Sequence, residues 1–152
     1  NNRPETRTLA APDVGLPPGE YRLRDFWSGA SATMGAAQLA RLEIPAHGCQ
    51  LLAVRPSAPL PVYAGSDLHF TQGREVVAWQ ADADRLEFAL RLDRNATGRV
   101  FLALPGPPVR VEVDDQPVAA QMADGQWARQ QLAIPVTLKA TLMCRVVVHL
   151  SG

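Results

Sequence analysis

The sequence predicts an all-β chain of antiparallel strands packed as a sandwich. Two observations carry that expectation. Thirteen prolines and eleven glycines are spread along 152 residues, cutting the chain into short segments that suit strands and turns better than long helices. Period-two alternation then marks half-buried strands. Leu86, Phe88, Leu90 and Leu92 fall on one face, with Glu87, Arg91 and Asp93 on the other. Val109, Val111 and Val113 alternate in the same way with Arg110 and Glu112.

Taken in order, the strands are expected at Glu20–Phe26, Ala40–Ile44, Gln50–Arg55, Glu75–Gln80, Leu86–Asp93, Arg99–Leu104, Val109–Val113, Gln130–Ile134 and Arg145–Leu150. Turns are expected at Pro17–Gly19, Asp93–Gly98, Pro105–Pro108, Asp114–Gln116 and Ala123–Gly125, where Pro, Gly and Asp supply the turn chemistry. Pro135 cannot donate to a ladder, so it belongs at a strand end, an edge or a bulge. Ala30–Leu42 is rich in helix formers but is interrupted by Gly35; it reads as a loop feeding a strand, with a short helix as the alternative. Three prolines within Pro56–Pro61 resemble a stiff connector. Residues 1–56 are therefore read as one β-sandwich unit, 57–65 as a connector and 66–152 as a second unit. A single sandwich crossed by the connector is the alternative.

Fifteen basic residues balance fifteen acidic ones, which argues against a nucleic-acid or anionic-membrane partner. No apolar run approaches the length of a membrane span. The chain starts at Asn1 with neither an initiator Met nor a signal-peptide pattern, so it is expected to be part of something longer, its first unit incomplete and its compartment open. Cys49 and Cys144 each sit in apolar surroundings and are read as buried free thiols; a disulfide is the alternative.

Five candidate chemistries stand in the sequence. Asp67 and His69 share a face of an extended segment, as an acid–base pair would, but no nucleophile elbow or oxyanion hole accompanies them. They are read as a fixed polar joint between β units. His47 and Cys49 fall short of the four convergent ligands of a zinc site. Asp82 with Asp84, and Asp114 with Asp115, are paired carboxylates in turn contexts, without an apolar pocket to make one a general acid. Gly15–Gly19 lacks the spacing and the Lys of a phosphate loop. Trp27, Trp79 and Trp127, with Tyr21, Tyr63 and Phe26, offer flat faces suited to sugar rings. Core or interface packing is preferred for most of them, and Trp127 is the best exposed sugar-binding candidate. No catalytic residue, metal or cofactor is assigned.

The order of several segments resembles the C-terminal region of melibiase-type α-galactosidases. These are Asn1-Asn2-Arg3, the Gly15–Gly19 turn, Tyr21–Trp27 with its Asp-Phe-Trp end, and Ile44–Val54. Gly65–Gly73 resembles the opening of a further β unit in some relatives, and Val111–Asp115 the end of such modules. In such enzymes a (β/α)-barrel carries the catalysis and an antiparallel β-sandwich follows it. The resemblance implies a non-catalytic C-terminal β domain of a glycoside hydrolase, whose partner is the catalytic barrel of the parent. Tyr21, Phe26 and Trp27 would be its packing anchors. The alternatives are a carbohydrate-binding module using exposed aromatics and a protein–protein interaction module.

Overall fold

The computed structural model describes residues 2–35, 40–122 and 131–151. The chain divides into two compact units, Asn1–Pro59 and Leu60–Gly152. Among the described residues there is no α-helix, and every strand pairing is antiparallel.

The first unit holds two small sheets. Strands β1 (Glu5–Leu9) and β4 (Ala40–Ile44) pair in one. Strands β2 (Tyr21–Asp25), β3 (Ser31–Met34) and β5 (Leu52–Pro56) form the other, with β2 central. Their inward residues, Tyr21, Leu23, Met34 and Ala40, make one buried cluster with Leu9, Leu42, Leu52 and Val54 packed on it. A single 3₁₀ turn at Ala11–Val14 joins β1 to the segment before β2. The Asp13 carboxylate accepts the Ala10 N–H at 2.9 Å and closes that turn.

The second unit is a sandwich of a five-stranded and a four-stranded sheet. Its strands are β6 (Val62–Ser66), β7 (Val76–Ala81), β8 (Arg85–Leu90), β9 (Ala96–Ala103), β10 (Pro108–Val113), β11 (Gln116–Pro117), β12 (Gln121–Met122), β13 (Gln131–Leu138) and β14 (Cys144–Leu150). The sheet orders are β11-β10-β14-β8-β7 and β12-β13-β9-β6. Alternation fills the space between them. Leu86, Phe88 and Leu90 of β8, with Val146 and Val148 of β14, face Val100, Leu102, Leu132, Ile134, Val136 and Leu138 of β9 and β13. Cross-strand registers align these side chains in rows, one of which runs Trp79, Phe88, Val146, Val113 across four strands. Trp79 lies over Phe88, with ring centroids 5.4 Å apart, and closes the edge of the core. It packs on the core with one side and leaves about a third of its surface exposed, 37%.

On the outer face of the five-stranded sheet, charge pairs replace apolar packing. Arg145 bonds Glu87 at 2.7 Å and Asp115 at 2.7 Å, Arg85 bonds Glu87 at 2.6 Å, and Arg110 pairs with Glu112. Val147 lies in register between Glu87 and Glu112, and it is buried. Long arginine stems cover apolar surface in this way while their heads remain wet.

Several elements differ from the sequence reading. Residues 62–66, read largely as connector, are strand β6. Strands β1 and β3 were not anticipated, and β3 stands where Ala30–Leu42 was read as a loop; Met34 is nevertheless fully buried. Residues 36–39, in the middle of that stretch, lie outside the described residues, as does the expected turn at 123–125. The turn expected at Asp93–Gly98 is shorter, because β9 already begins at Ala96. Strand β13 continues through Pro135, whereas β12 pairs with β13 only as far as Ala133, so on that side the proline needs no donor among the described residues. Asp114 and Asp115 form the expected two-residue hairpin with positive φ at both positions, the geometry of a type I′ turn.

Phe88 is 1% exposed and sits in the middle of the sandwich. Phe88→Ala is expected to cost about 3–5 kcal/mol of stability by transfer and cavity terms. Leu142→Ala, at a residue 58% exposed, should stay within about 0.5 kcal/mol of the parent. Urea denaturation of the two variants checks the contrast.

Candidate functional site

The Asp25-Phe26-Trp27-Ser28 segment forms the tip of the β2–β3 hairpin. Asp25 is buried and its carboxylate organises the tip: Oδ2 accepts Ser28 N–H at 3.1 Å and Ser28 Oγ–H at 2.7 Å, and Oδ1 accepts Leu51 N–H at 3.1 Å. Its backbone N–H bonds Ala30 O at 2.8 Å, and its carbonyl accepts Gly29 N–H at 2.9 Å. Burial alone would raise the Asp25 pKa. The donors from Ser28, Leu51 and Trp27 outweigh it and hold the carboxyl below its ordinary value. The consequence is a rigid tip with Trp27 on its outside, 64% exposed and edge-on to Phe26 at 4.9 Å and 77°. Tyr21 is placed differently. It is 6% exposed, in the core of its own unit, and its hydroxyl donates to Pro17 O at 2.8 Å.

The Gly65–Gly73 segment is organised around a residue that sequence reasoning missed. Glu75 is fully buried, and its Oε1 accepts the Tyr63 hydroxyl at 2.8 Å and the Ser66 hydroxyl. Its Oε2 accepts Gly73 N–H at 2.9 Å, and its backbone carbonyl accepts Arg91 N–H at 2.8 Å. Nothing in the sequence marks a glutamate at a strand start as the partner of a tyrosine twelve residues earlier. Asp67 and His69, read as one polar joint, bond to separate partners. Asp67 accepts the backbone N–H of Arg99 and its Nε–H at 3.1 Å, continuing the β6–β9 pairing past Ser66. Gly98 makes this approach possible, because a Cβ there would collide with the Asp67 carboxylate. His69 Nδ1 lies 2.8 Å from Thr71 Oγ1 and braces the loop tip.

The other sequence candidates stay apart. Asp82 and Asp84 are exposed on the β7–β8 turn, and Asp114 and Asp115 on the β10–β11 turn. His47 and Cys49 are exposed in the segment between β4 and β5. Among the described residues no group of three His, Cys, Asp or Glu is placed to hold a metal ion, and no helix is long and apolar enough to cross a membrane. Trp127 lies outside the described residues. Both cysteines are free, and only Cys144 is buried; Cys49 is exposed in the irregular segment between β4 and β5, where no strand pairing turns its side chain inward, contrary to its expected burial. Burial, with Asp114 nearby, pushes the Cys144 thiol up to about 12.

The fold is thus that of an antiparallel β-sandwich protein. Residues 1–54 match the family model of the alpha galactosidase C-terminal beta sandwich domain. That span covers β1 to β4 and most of β5, including the Asp25–Trp27 tip. No curated protein matches the chain.

Asp25 makes the first unit acid-sensitive. A carboxyl depressed in the folded state contributes stability that is present above its unfolded pKa, about 3.9, and is lost as pH falls through the lower folded value. The Trp27 indole N–H resonance should lose its native position over that acid range in the parent, with a shallower dependence in Asp25→Asn. An equal acid dependence in the two proteins would remove Asp25 from this role.

The thiols give a second expectation. At neutral pH an aromatic disulfide reagent should label Cys49 quickly and Cys144 only on unfolding, so Cys49→Ser should abolish the fast phase.

Proposed function

We propose that this chain is a non-catalytic C-terminal β portion of a glycoside hydrolase, which packs on and stabilises a catalytic barrel carried elsewhere in the parent protein. The family match over residues 1–54 supports the enzyme class. The observation that carries the packing role is Trp27. A large apolar ring 64% exposed, on a tip rigidified by a buried carboxylate, is poorly explained by the stability of its own unit. Burial of that ring against a partner contributes about 2–3 kcal/mol. Phe26 supports it from the side, and Tyr21 holds the hairpin from within. Asp67 and His69 serve as local braces of the second unit in this reading.

The alternative of a carbohydrate-binding module using exposed aromatics needs rings that share a plane. Phe26 and Trp27 are nearly perpendicular and offer no such platform. A protein–protein module of another kind remains the third reading, with the same Trp27 tip as its contact.

In the parent enzyme, Trp27→Ala should lower the thermal midpoint and shorten the half-life of activity while leaving KM close to its original value. The isolated chain should turn over none of a panel of nitrophenyl glycosides. Turnover by the purified chain, or a parent equally stable with Trp27→Ala, would contradict the proposal.

A further inference from the structure

A groove of about 370 Å³ opens on the second unit, lined by His69, Arg74, Val77, Arg91, Leu92, Asp93 and Arg94. That is the lower end of the size range of small-molecule sites, roughly 300–1,000 Å³. Its walls are fixed from both sides. Glu75, buried and accepting three donors, anchors the loop that carries His69 and Arg74. The Arg91 N–H bonds Glu75 O, and the Arg94 guanidinium donates to Leu68 O, so the chain after β8 is tied to the same loop.

The charge in this groove is unusual for the unit. Arg85, Arg99, Arg110 and Arg145 are each in an ion pair. Arg74, Arg91 and Arg94 are the remaining described arginines of the second unit, and all three line this one groove. Among the described residues none of them has a carboxylate at ion-pairing distance, and Asp93 is the single acid in the lining. A chain of zero formal charge therefore concentrates three unneutralised guanidinium groups and an imidazole around one concavity. Arg74 and Arg91 have no structural hydrogen bond from their guanidinium groups among the described residues, so their donors remain for a ligand. Guanidinium forks match planar or tetrahedral oxyanions. Val77, half exposed, adds apolar surface in the same lining, and the exposed Phe70 ring lies 4.4 Å from His69.

We infer that this groove binds an oxyanion-bearing saccharide, its carboxylate or sulfate group held by Arg74 and Arg91 and its ring against the exposed Val77 side chain. The site is independent of any barrel contact through Trp27. Arg94 is a positioning residue, since its guanidinium is engaged with backbone carbonyls.

The test is calorimetric titration of the full chain with a galacturonate disaccharide, a sulfated disaccharide, their neutral parent, inorganic sulfate and a short polyglutamate peptide. Either acidic disaccharide should bind at least roughly tenfold more tightly than the neutral one and than sulfate. The double variant Arg74→Ala/Arg91→Ala should lose about tenfold or more of that affinity with an unchanged thermal midpoint. Equal binding of sulfate and disaccharide, or tighter binding of the peptide, would overturn the saccharide assignment. Unchanged affinity in the double variant would overturn the site. Trp27→Ala should leave the titration unaltered, which separates this result from the fate of the packing proposal.

Discussion

The second unit depends on the satisfaction of one buried carboxyl group. Glu75 lies at zero exposure where β7 begins, beside the sandwich core, and a carboxyl placed there without partners would cost several kcal/mol. Two hydroxyls and a backbone N–H meet it instead. The donors come from β6, from the end of β6 and from the intervening loop, so the bonds that solvate Glu75 also fix residues 66–75 as one rigid piece. Gly65, with φ of 148° at the β6 bulge, allows the strand to turn Ser66 toward it. The groove is thus a by-product of solvating a buried acid: the loop that closes around Glu75 must display His69, Phe70 and Arg74 outward.

The distribution of charge over the second unit follows from the same economy. On the outer face of the five-stranded sheet, arginines and acids alternate at register positions and neutralise one another, and their stems cover Val147. Hydrogen bonding to Arg145 holds Glu87 below its usual carboxylate range. Such exposed pairs contribute little individually, but they blunt a face that would otherwise show bare valine. Neutralisation stops at the end of β8, where the chain places Arg91 and Arg94 beside Arg74 with Asp93 alone between them. Repulsion among these cations is weak in water and is tolerated because the loop is held by Glu75 and by the Arg94 bond to Leu68 O.

Much of the fold was legible in the sequence, and the unread parts share a physical character. Strands β8 and β14 carry bulky residues at every second position, and their alternation survives into the structure as inward and outward rows; in β10 it holds at Val111, but the register shift between Pro108 and Arg110 leaves Val109 exposed instead of on the expected inward face. Strands β1 and β3, Glu-Thr-Arg-Thr-Leu and Ser-Ala-Thr-Met, are short and made of small or polar residues, so no period stands out. Strand β6 was hidden by the adjoining prolines. The tip residues Asp25, Phe26 and Trp27 were visible as a motif, but sequence pattern does not separate Tyr21, which faces inward, from Trp27, which faces outward beyond the strand end. The glutamate knot and the arginine groove were invisible for a different reason. The knot joins the start of β7 to β6, a strand of the other sheet, and only the β7–β8 pairing sets Arg91 beside the loop that carries Arg74.

Asp25 and Glu75 solve the same problem, each in its own unit, and display different chemistry. Each is a buried acid whose acceptors are filled by neighbouring hydroxyl and amide donors, and each locks the loop beside it. The loop locked by Asp25 displays an indole, and the loop locked by Glu75 displays the Arg74 guanidinium. A preorganised loop loses little conformational entropy when its side chains meet a ligand or partner. Substituting either acid should therefore weaken recognition even though neither carboxyl touches what is recognised, because the displayed residues would have to be ordered again on every encounter.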